Sequence, residues 1–303
     1  MSKPSIVVIG SSNTDMVIKS EHLPAPGETI LGGEFFMNAG GKGANQAVAA
    51  ARLGGQIFFV AKVGNDIFGT EAIQLFKKEG INVSAILKDK KLPSGVALIN
   101  VDHKGENSIA VASGANAALL PRDIKKFRSA IESASIVLMQ LETPLETIIH
   151  AVSIAAKKNV RIILNPAPAR ILPDELLKNI SIVTPNEKEA EMLTAISVND
   201  VASAKQAASV LHEKGIATII ITLGEKGALL FHEKKFSLIN SPKVKAIDTT
   251  AAGDVFNAAL AVALSEKKSM IDAVTFACKA ASISVTRLGA QASAPYRKEI
   301  SRL

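Results

Sequence analysis

The sequence predicts an α/β protein: a doubly wound, mostly parallel sheet flanked by helices, with a small β-sheet lid. Three observations predict it. Short β-branched runs recur between segments of helical spacing, these runs are apolar at consecutive positions as strands covered on both faces require, and two stretches break the alternation. In chain order the strands are Ile6 to Ile9, Ile57 to Val60, Ile136 to Met139, Val160 to Leu164, Ile180 to Thr184 and Thr218 to Thr222. Between them, helical spacing covers Ala44 to Leu53, Thr70 to Lys78, Pro144 to Lys157 and Val201 to Lys214, and an Ala-rich apolar helix follows from Val255 to Leu264. The two interruptions are Met16 to Phe36, with its Pro24-Ala25-Pro26-Gly27 turn, and Gly95 to Ala112, two strand-like runs around Asp102-His103-Lys104-Gly105. Both arise between core elements. They are therefore expected, over about 16–36 and 95–112, to form a lid on one edge of a single domain spanning residues 1–303.

Composition narrows the function. A chain of 303 residues, 48% hydrophobic and 21% charged, is long and apolar enough to bury a sizeable core. Few aromatics and no Trp speak against a base-stacking surface, and the net charge of +7 is spread over short pairs such as Lys77-Lys78 and Lys157-Lys158 that read as solvated helix faces. No nucleic-acid partner is expected. No apolar run approaches the roughly 20 residues a membrane helix needs. The start of the chain lacks a signal peptide's pattern and Cys278 has no cysteine partner in the sequence, which together point to the cytoplasm. The five histidines, at 22, 103, 150, 212 and 232, have no metal-ligand spacing, and no serine occupies a G-x-S-x-G elbow, so zinc and serine-hydrolase chemistry are not expected.

The strongest chemical signal is Asp248-Thr-Thr-Ala-Ala-Gly-Asp254, leading directly into the Ala-rich helix. Ala251, Ala252 and Gly253 would leave backbone N–H groups unshielded at a helix N-terminus, where orphan donors and the helix dipole favour an anion. Asp254 in the first turn would be a general base toward an attacking hydroxyl; the alternative is that it only caps the helix. A second glycine cluster, Ala39-Gly-Gly-Lys-Gly-Ala-Asn45, also precedes a helix, and Lys42 and Asn45 offer donors to hydroxyls or a phosphate. It is not a Walker A loop, because Gly43 stands where Ser or Thr is required. Asn13 and Asp15 after the first strand, Glu142 after the strand ending at Met139, and Asn186 and Glu189 after the strand ending at Thr184 all lie just past strand ends. In an open α/β sheet that is where the ligand crevice forms, so these residues are expected to converge. Thr222-Leu-Gly-Glu-Lys-Gly227 fits a nucleotide wall or a hairpin turn. Gly10 is followed by Ser-Ser-Asn, so no dinucleotide fingerprint is present.

Taken together these blocks resemble the PfkB carbohydrate kinase family from Ile6 to Arg297. The likeness is carried by Gly10-Ser-Ser-Asn-Thr-Asp15, Pro26-Gly-Glu-Thr29, Gly40-Gly-Lys-Gly-Ala-Asn-Gln-Ala-Val-Ala-Ala50, Asn165-Pro-Ala-Pro-Ala169, Thr184-Pro-Asn-Glu187, the Asp248 to Asp254 segment and Val285-Thr-Arg-Leu-Gly-Ala-Gln291. The resemblance implies transfer of the ATP γ-phosphoryl group to the 5-hydroxyl of ribose. It implies that Asn13, Asp15, Gly41, Lys42, Asn45 and Glu142 hold the sugar, that Asp254 is the base and that Ala251, Ala252 and Gly253 form the anion hole. ATP would lie against Asn186, the stretch Thr222, Leu223, Gly224, Glu225, Lys226 and Gly227, Gly253 and Cys278. Glu189 would be associated with Mg²⁺, and an activating potassium ion would sit near Asp248, Thr250, Ser284, Arg287, Gly289 and Ser293. The lid would pair two chains in a homodimer. Many family members have Gly where this chain has Ala251, and the position of Cys278 varies, so a buried structural cysteine stands beside the ATP-contact reading. A kinase acting on deoxyribose, another sugar or a nucleoside, and a sugar-binding protein without catalysis, remain as alternatives.

Overall fold

The computed structural model describes residues 6–300. The chain opens with β1 (Ile6–Ile9), β2 (Asn13–Lys19), β3 (Glu34–Gly40), α1 (Lys42–Arg52), β4 (Ile57–Gly64), α2 (Ile67–Lys78) and β5 (Ile86–Asp89). It continues through β6 (Gly95–Val101), β7 (Asn107–Ala112), the short helices α3 (Pro121–Lys125) and α4 (Arg128–Glu132), β8 (Ile136–Met139), α5 (Leu145–Ala156) and β9 (Arg161–Leu164). The C-terminal part contains α6 (Asp174–Leu177), β10 (Ile182–Val183), α7 (Glu187–Thr194), α8 (Val201–Glu213), β11 (Thr218–Thr222), β12 (Ala228–His232), β13 (Lys235–Ile239), α9 (Ala252–Ser265), α10 (Met270–Ser284) and α11 (Arg297–Ile300).

Nine strands form the main sheet in the order β13-β12-β11-β10-β9-β8-β1-β4-β5. All pairings from β5 to β11 are parallel; β12 and β13 add an antiparallel edge. The central strands β1 and β8 are buried at every residue, which explains why they are Ile, Val, Leu and Met throughout instead of alternating with polar residues. Each face of the sheet carries its own apolar cluster. One joins Ile6, Val8 and Leu138 to α1, α9 and α10; the other joins Val7, Ile9 and Met139 to α5 and α8. On the first face Phe59 and Phe76 meet edge to face at 5.3 Å, a contact of the kind that adds about 0.5–1.5 kcal/mol to burial alone. Helix α9 is apolar nearly all round because it is walled in by the sheet, α1 and α10.

Side-chain caps set several helix starts. Asp66 accepts from the Gly69 amide at the start of α2, Ser269 from the Asp272 amide at α10, and Asn186 and Glu189 form a reciprocal capping box on α7.

The lid is a four-stranded sheet in the order β3-β2-β6-β7. Its expected first segment, 16–36, is corrected at both ends. Asn13 to Asp15, read as a loop after the first strand, already belong to lid strand β2, and the returning strand runs to Gly40, because Asn13 pairs with both Gly40 and Gly95. Residues 20–33 contain no strand. The second segment agrees with β6 and β7. Elsewhere β10 is only two residues long, Gly224 to Lys226 form a short 3₁₀ turn inside the β11–β12 hairpin, and β12, β13 and α10 add elements beyond the expected set.

Candidate active site

Helices α1 and α9 both begin at the C-terminal edge of the parallel strands. The glycine-rich loop enters α1 through Gly41, whose φ of 88° is left-handed and whose side, if it carried a Cβ, would press within 2.7 Å of the Asn13 amide nitrogen. No side chain caps α1 locally. Glu142, from the loop after β8, does so from 100 residues away by accepting from the Lys42 amide at 2.9 Å and from the Ser11 hydroxyl. Ser11 in turn accepts from the Gly43 amide at 3.3 Å.

Helix α9 starts differently. Ala251 is its N-cap at φ 59°, a left-handed conformation that costs a non-glycine residue about 1–2 kcal/mol, and no side chain caps the helix. Ala252 donates to the Thr249 carbonyl, whereas the amides of Gly253 and Asp254, in the first helical turn, have no carbonyl within the helix to reach. They face a cavity of about 210 Å³ lined by Lys42, Asn165, Ala167, Thr184, Asn186, Glu189, Thr222, Thr249, Ala251, Ala252, Gly253, Asp254 and Asn257. A Cβ built on Gly253 meets nothing within 4 Å, so that wall is open. The small residues thus leave room for an anionic group at a helix N-terminus, as the dipole favours.

Asp254 is buried, and both carboxylate oxygens are held: Asn45 Nδ2 donates to Oδ2 at 2.9 Å and Gln46 Nε2 to Oδ1 at 2.9 Å. Burial pushes its carboxyl above the ordinary range, and the Lys42 ammonium and these two amide donors pull it back. Asp15 on β2 is raised to about 6, first by burial and then by the Glu142 and Asp254 charges, with Lys42 opposing. Lys42 itself is raised: burial would lower it, and Asp254, Glu142, Glu189 and Asp15 outweigh that. Glu189 is raised by burial, moderated by its bond from the Asn186 amide and by Lys42. One ammonium therefore sits among four carboxylates, a cluster suited to binding hydroxyl groups and moving a proton.

The expected convergence is seen for Lys42, Asn186, Glu189, Thr222, Ala251, Ala252, Gly253 and Asp254, which line the cavity, and for Asn13, Asp15, Gly41, Asn45 and Glu142, which gather beside it. A Cβ on Gly40 would strike the Asp15 carboxylate, so the glycine at this position is what lets β3 pass that group. Asn13 Oδ1 is fixed by Asn116 Nδ2 at 2.7 Å, and the buried Asn45 Oδ1 has no partner. Leu223 is in the core, and Gly224, Glu225, Lys226 and Gly227 belong to the hairpin turn, outside the cavity lining. Cys278 lies in the core on α10 beside Ser241, with burial pushing its thiol up to about 11. The structure does not bring it to this cavity. Asp248 draws two segments together, accepting from the Thr250 amide at 2.9 Å and the Gly289 amide at 2.8 Å. Ser284 and Ser293 are buried near that junction, and the Arg287 guanidinium is turned away into an ion pair with Glu299.

Behind the cavity runs a chain of buried amides not singled out from sequence. Gln140 donates to Gln46, Gln46 to Asn165 at 3.1 Å and Asn165 to the Thr184 carbonyl at 3.4 Å. The Thr184 hydroxyl donates to Asn257 at 2.6 Å, and Asn257 donates to the Gly253 carbonyl at 2.8 Å. Its signal was present: Gln140 and Asn257 are amides inside otherwise apolar runs, where an unpaired polar group is costly.

Comparison with known proteins agrees with this arrangement. The family model described as pfkB family carbohydrate kinase matches residues 3–297. A ribokinase of Haemophilus influenzae is 47% identical over 297 residues, covering 98% of this chain and 97% of that one. A deoxyribokinase of Salmonella typhi is 38% identical, covering 96% and 95%. The structure of Arabidopsis thaliana ribokinase complexed with ribose and ATP is similar at a TM-score of 0.93 and 34% identity, covering 99% and 98%. Sheet, lid, glycine loop and the Asp254 helix start occur together over nearly the whole length, and the chain belongs to the pfkB family of carbohydrate kinases.

Proposed function

We propose that this chain transfers the γ-phosphoryl group of ATP to the 5-hydroxyl of D-ribose, giving ribose 5-phosphate and ADP. The observation that carries the reading is the Asp254 carboxylate, fixed by two amide donors next to the open N-terminus of α9 and facing the same cavity as Lys42. Asn13, Asp15, Gly41, Lys42, Asn45 and Glu142 hold the sugar, with its hydroxyl directed at Asp254. The hydroxyl proton passes to the Asp254 carboxylate as the oxygen's electron pair forms the new bond to phosphorus. The bond to the bridging oxygen breaks and ADP leaves with that electron pair. The amides around Ala251 to Gly253 take up charge on the transferred group, and Lys42 offsets it from the side.

ATP lies along Asn186 and Thr222 toward the Leu223 to Gly227 turn, with Gly253 at its phosphate end, while Cys278, buried in the core, packs α10. Mg²⁺ suits the oxygen-rich wall around Glu189, and when bound it neutralises triphosphate charge. An alkali cation suits the 248–250 and 284–293 segments: Asp248 ties them together, the donors there are oxygens, and Arg287 offers only its carbonyl because its guanidinium is paired with Glu299. Potassium is the expected ion. The lid's face opposite Asp15 exposes Ile18, Phe35, Met37 and Leu98, which fits a second copy of the chain as the partner in a homodimer. Among the described residues no helix is long and apolar enough to cross a membrane, and a reducing cytoplasm suits the lone buried thiol.

The test is ADP release measured with ribose, 2-deoxyribose, other pentoses and nucleosides, in potassium and then in sodium, alongside the molar mass in solution. Release that depends on ribose supports the reading. Preference for 2-deoxyribose would move the chain to the chemistry of its Salmonella relative, and binding of ribose without ADP release would leave a sugar-binding protein.

A further inference from the structure

The α1 residue next to Asn45 touches no substrate in the mechanism above, yet it is one of the two side chains that donate to the Asp254 carboxylate. Gln46 is fully buried and is not part of the cavity lining. Its amide nitrogen donates to Asp254 Oδ1 at 2.9 Å and to Asn165 Oδ1 at 3.1 Å, and its amide oxygen accepts from Gln140 Nε2 at 2.5 Å. A carboxylate at neutral pH can only accept, so the nitrogen must face Asp254, and the remaining two bonds then fix the amide plane. Asn45 differs: its second polar atom is unpartnered beside the sugar pocket, whereas every hydrogen of Gln46 is spent on protein.

We propose that Gln46 is the positioning residue of the reaction: it acts on the substrate only through Asp254, clamping one carboxylate oxygen so that the other meets the acceptor hydroxyl. The inference rests on the reading of Asp254 as base. Because Gln46 is anchored through Asn165 and Gln140 to the ends of β9 and β8, the carboxylate is tied to the rigid edge of the sheet as well as to its own helix. A neutral donor also suits the electrostatics. The charged groups facing Asp254 are Lys42 on α1, Glu142 after β8, Asp15 on β2 and Glu189 on α7, so one cation already meets three other carboxylates, and a donor without charge stabilises the Asp254 anion without crowding Lys42.

The experiment compares pH profiles of kcat in Gln46→Met and Gln46→Glu, with ribose binding by calorimetry as the check that each pocket is intact. Gln46→Met keeps length and volume and removes the donor, so the Asp254 anion is less stabilised. The acid limb should move to higher pH, giving about a tenfold lower kcat near pH 6.5 that recovers as pH rises, with ribose affinity little changed. Gln46→Glu has a donor only while protonated, so its loss should grow as pH rises, the opposite sign. Profiles that parallel the unaltered enzyme in both variants, whatever their height, overturn the proposal and leave Gln46 a packing residue. If one variant does not fold, the sign of the pH dependence in the other decides. An unaltered chain without sugar-dependent ADP release, or an Asp254→Asn variant of full activity, would instead remove the functional reading beneath it.

Discussion

Two loops of small residues run into helices at the same edge of the sheet, and they end in opposite states. At α1 the first amides are already taken, Lys42 by Glu142 and Gly43 by Ser11. At α9 no side chain caps the helix, and the Gly253 side is open space. The lesson is that a glycine cluster before a helix does not by itself mark an anion site. What decides is whether another part of the chain supplies an acceptor, and for α1 that acceptor lies 100 residues away. The closed terminus makes a rigid frame that holds Lys42 and Asn45 in place; the open one leaves room for an anionic group.

Substitutions can break this contrast. Asp254→Asn removes the proposed base and sets an amide against the amide donors of Asn45 and Gln46, so kcat should fall by at least ~10²-fold with ribose affinity largely kept. Steady-state kinetics beside ribose calorimetry would show it, and near-normal turnover would take Asp254 out of the base role. Gly253→Ala fills the open terminus. Its methyl meets no protein atom, so the fold should gain up to about 1 kcal/mol of stability from helix propensity while kcat/KM for ATP drops about tenfold or more. Thermal unfolding and kinetics on the same sample separate the two effects. Glu142→Ala opens the closed terminus, leaving the Lys42 amide and Ser11 hydroxyl unpaired, with an expected loss of about 1–2 kcal/mol by denaturant titration.

A further effect concerns pH. Asp15 binds protons more tightly folded, at about 6, than unfolded, at 3.8. Between those values the native state holds the extra proton, so stability falls as pH rises through this window and the loss is complete above the folded value. Asp15→Asn should therefore match the unaltered chain near pH 4 and exceed it by about 1–2 kcal/mol at pH 7–8, while weakening ribose binding. Equal stability at both pH values would show that burial does not strain this carboxylate.

Much of the fold was legible because buried parallel strands need β-branched runs: β1, β8 and β11 lie where Ile6, Ile136 and Thr218 begin those runs. Asp254 and its small-residue loop were legible because Ala-Ala-Gly ahead of an apolar helix leaves its first amides unshielded beside an acid. The lid's true start was hidden. Asn13 and Asp15 are polar and follow a strand, so they read as loop, yet they are residues of lid strand β2. Gln46, Asn165 and Thr184 were quiet for a different cause: a polar group in an Ala-rich helix or past a strand end gives no local sign of its partner, and Gln46 meets Asn165 across 119 residues and Thr184 meets Asn257 across 73.

The register of the lid has a mechanical consequence. Strands β2, β3 and β6 leave the body of the protein side by side at Asn13, Gly40 and Gly95. A strand advances about 3.3 Å per residue, so Asp15 lies roughly 7 Å from that root and Lys19 roughly 20 Å. Rotation about the root displaces the tip about three times as far as the carboxylate. The lever is thus mounted with Asn13 and Asp15 near the fulcrum, where they travel least, and Lys19 and Glu34 outermost.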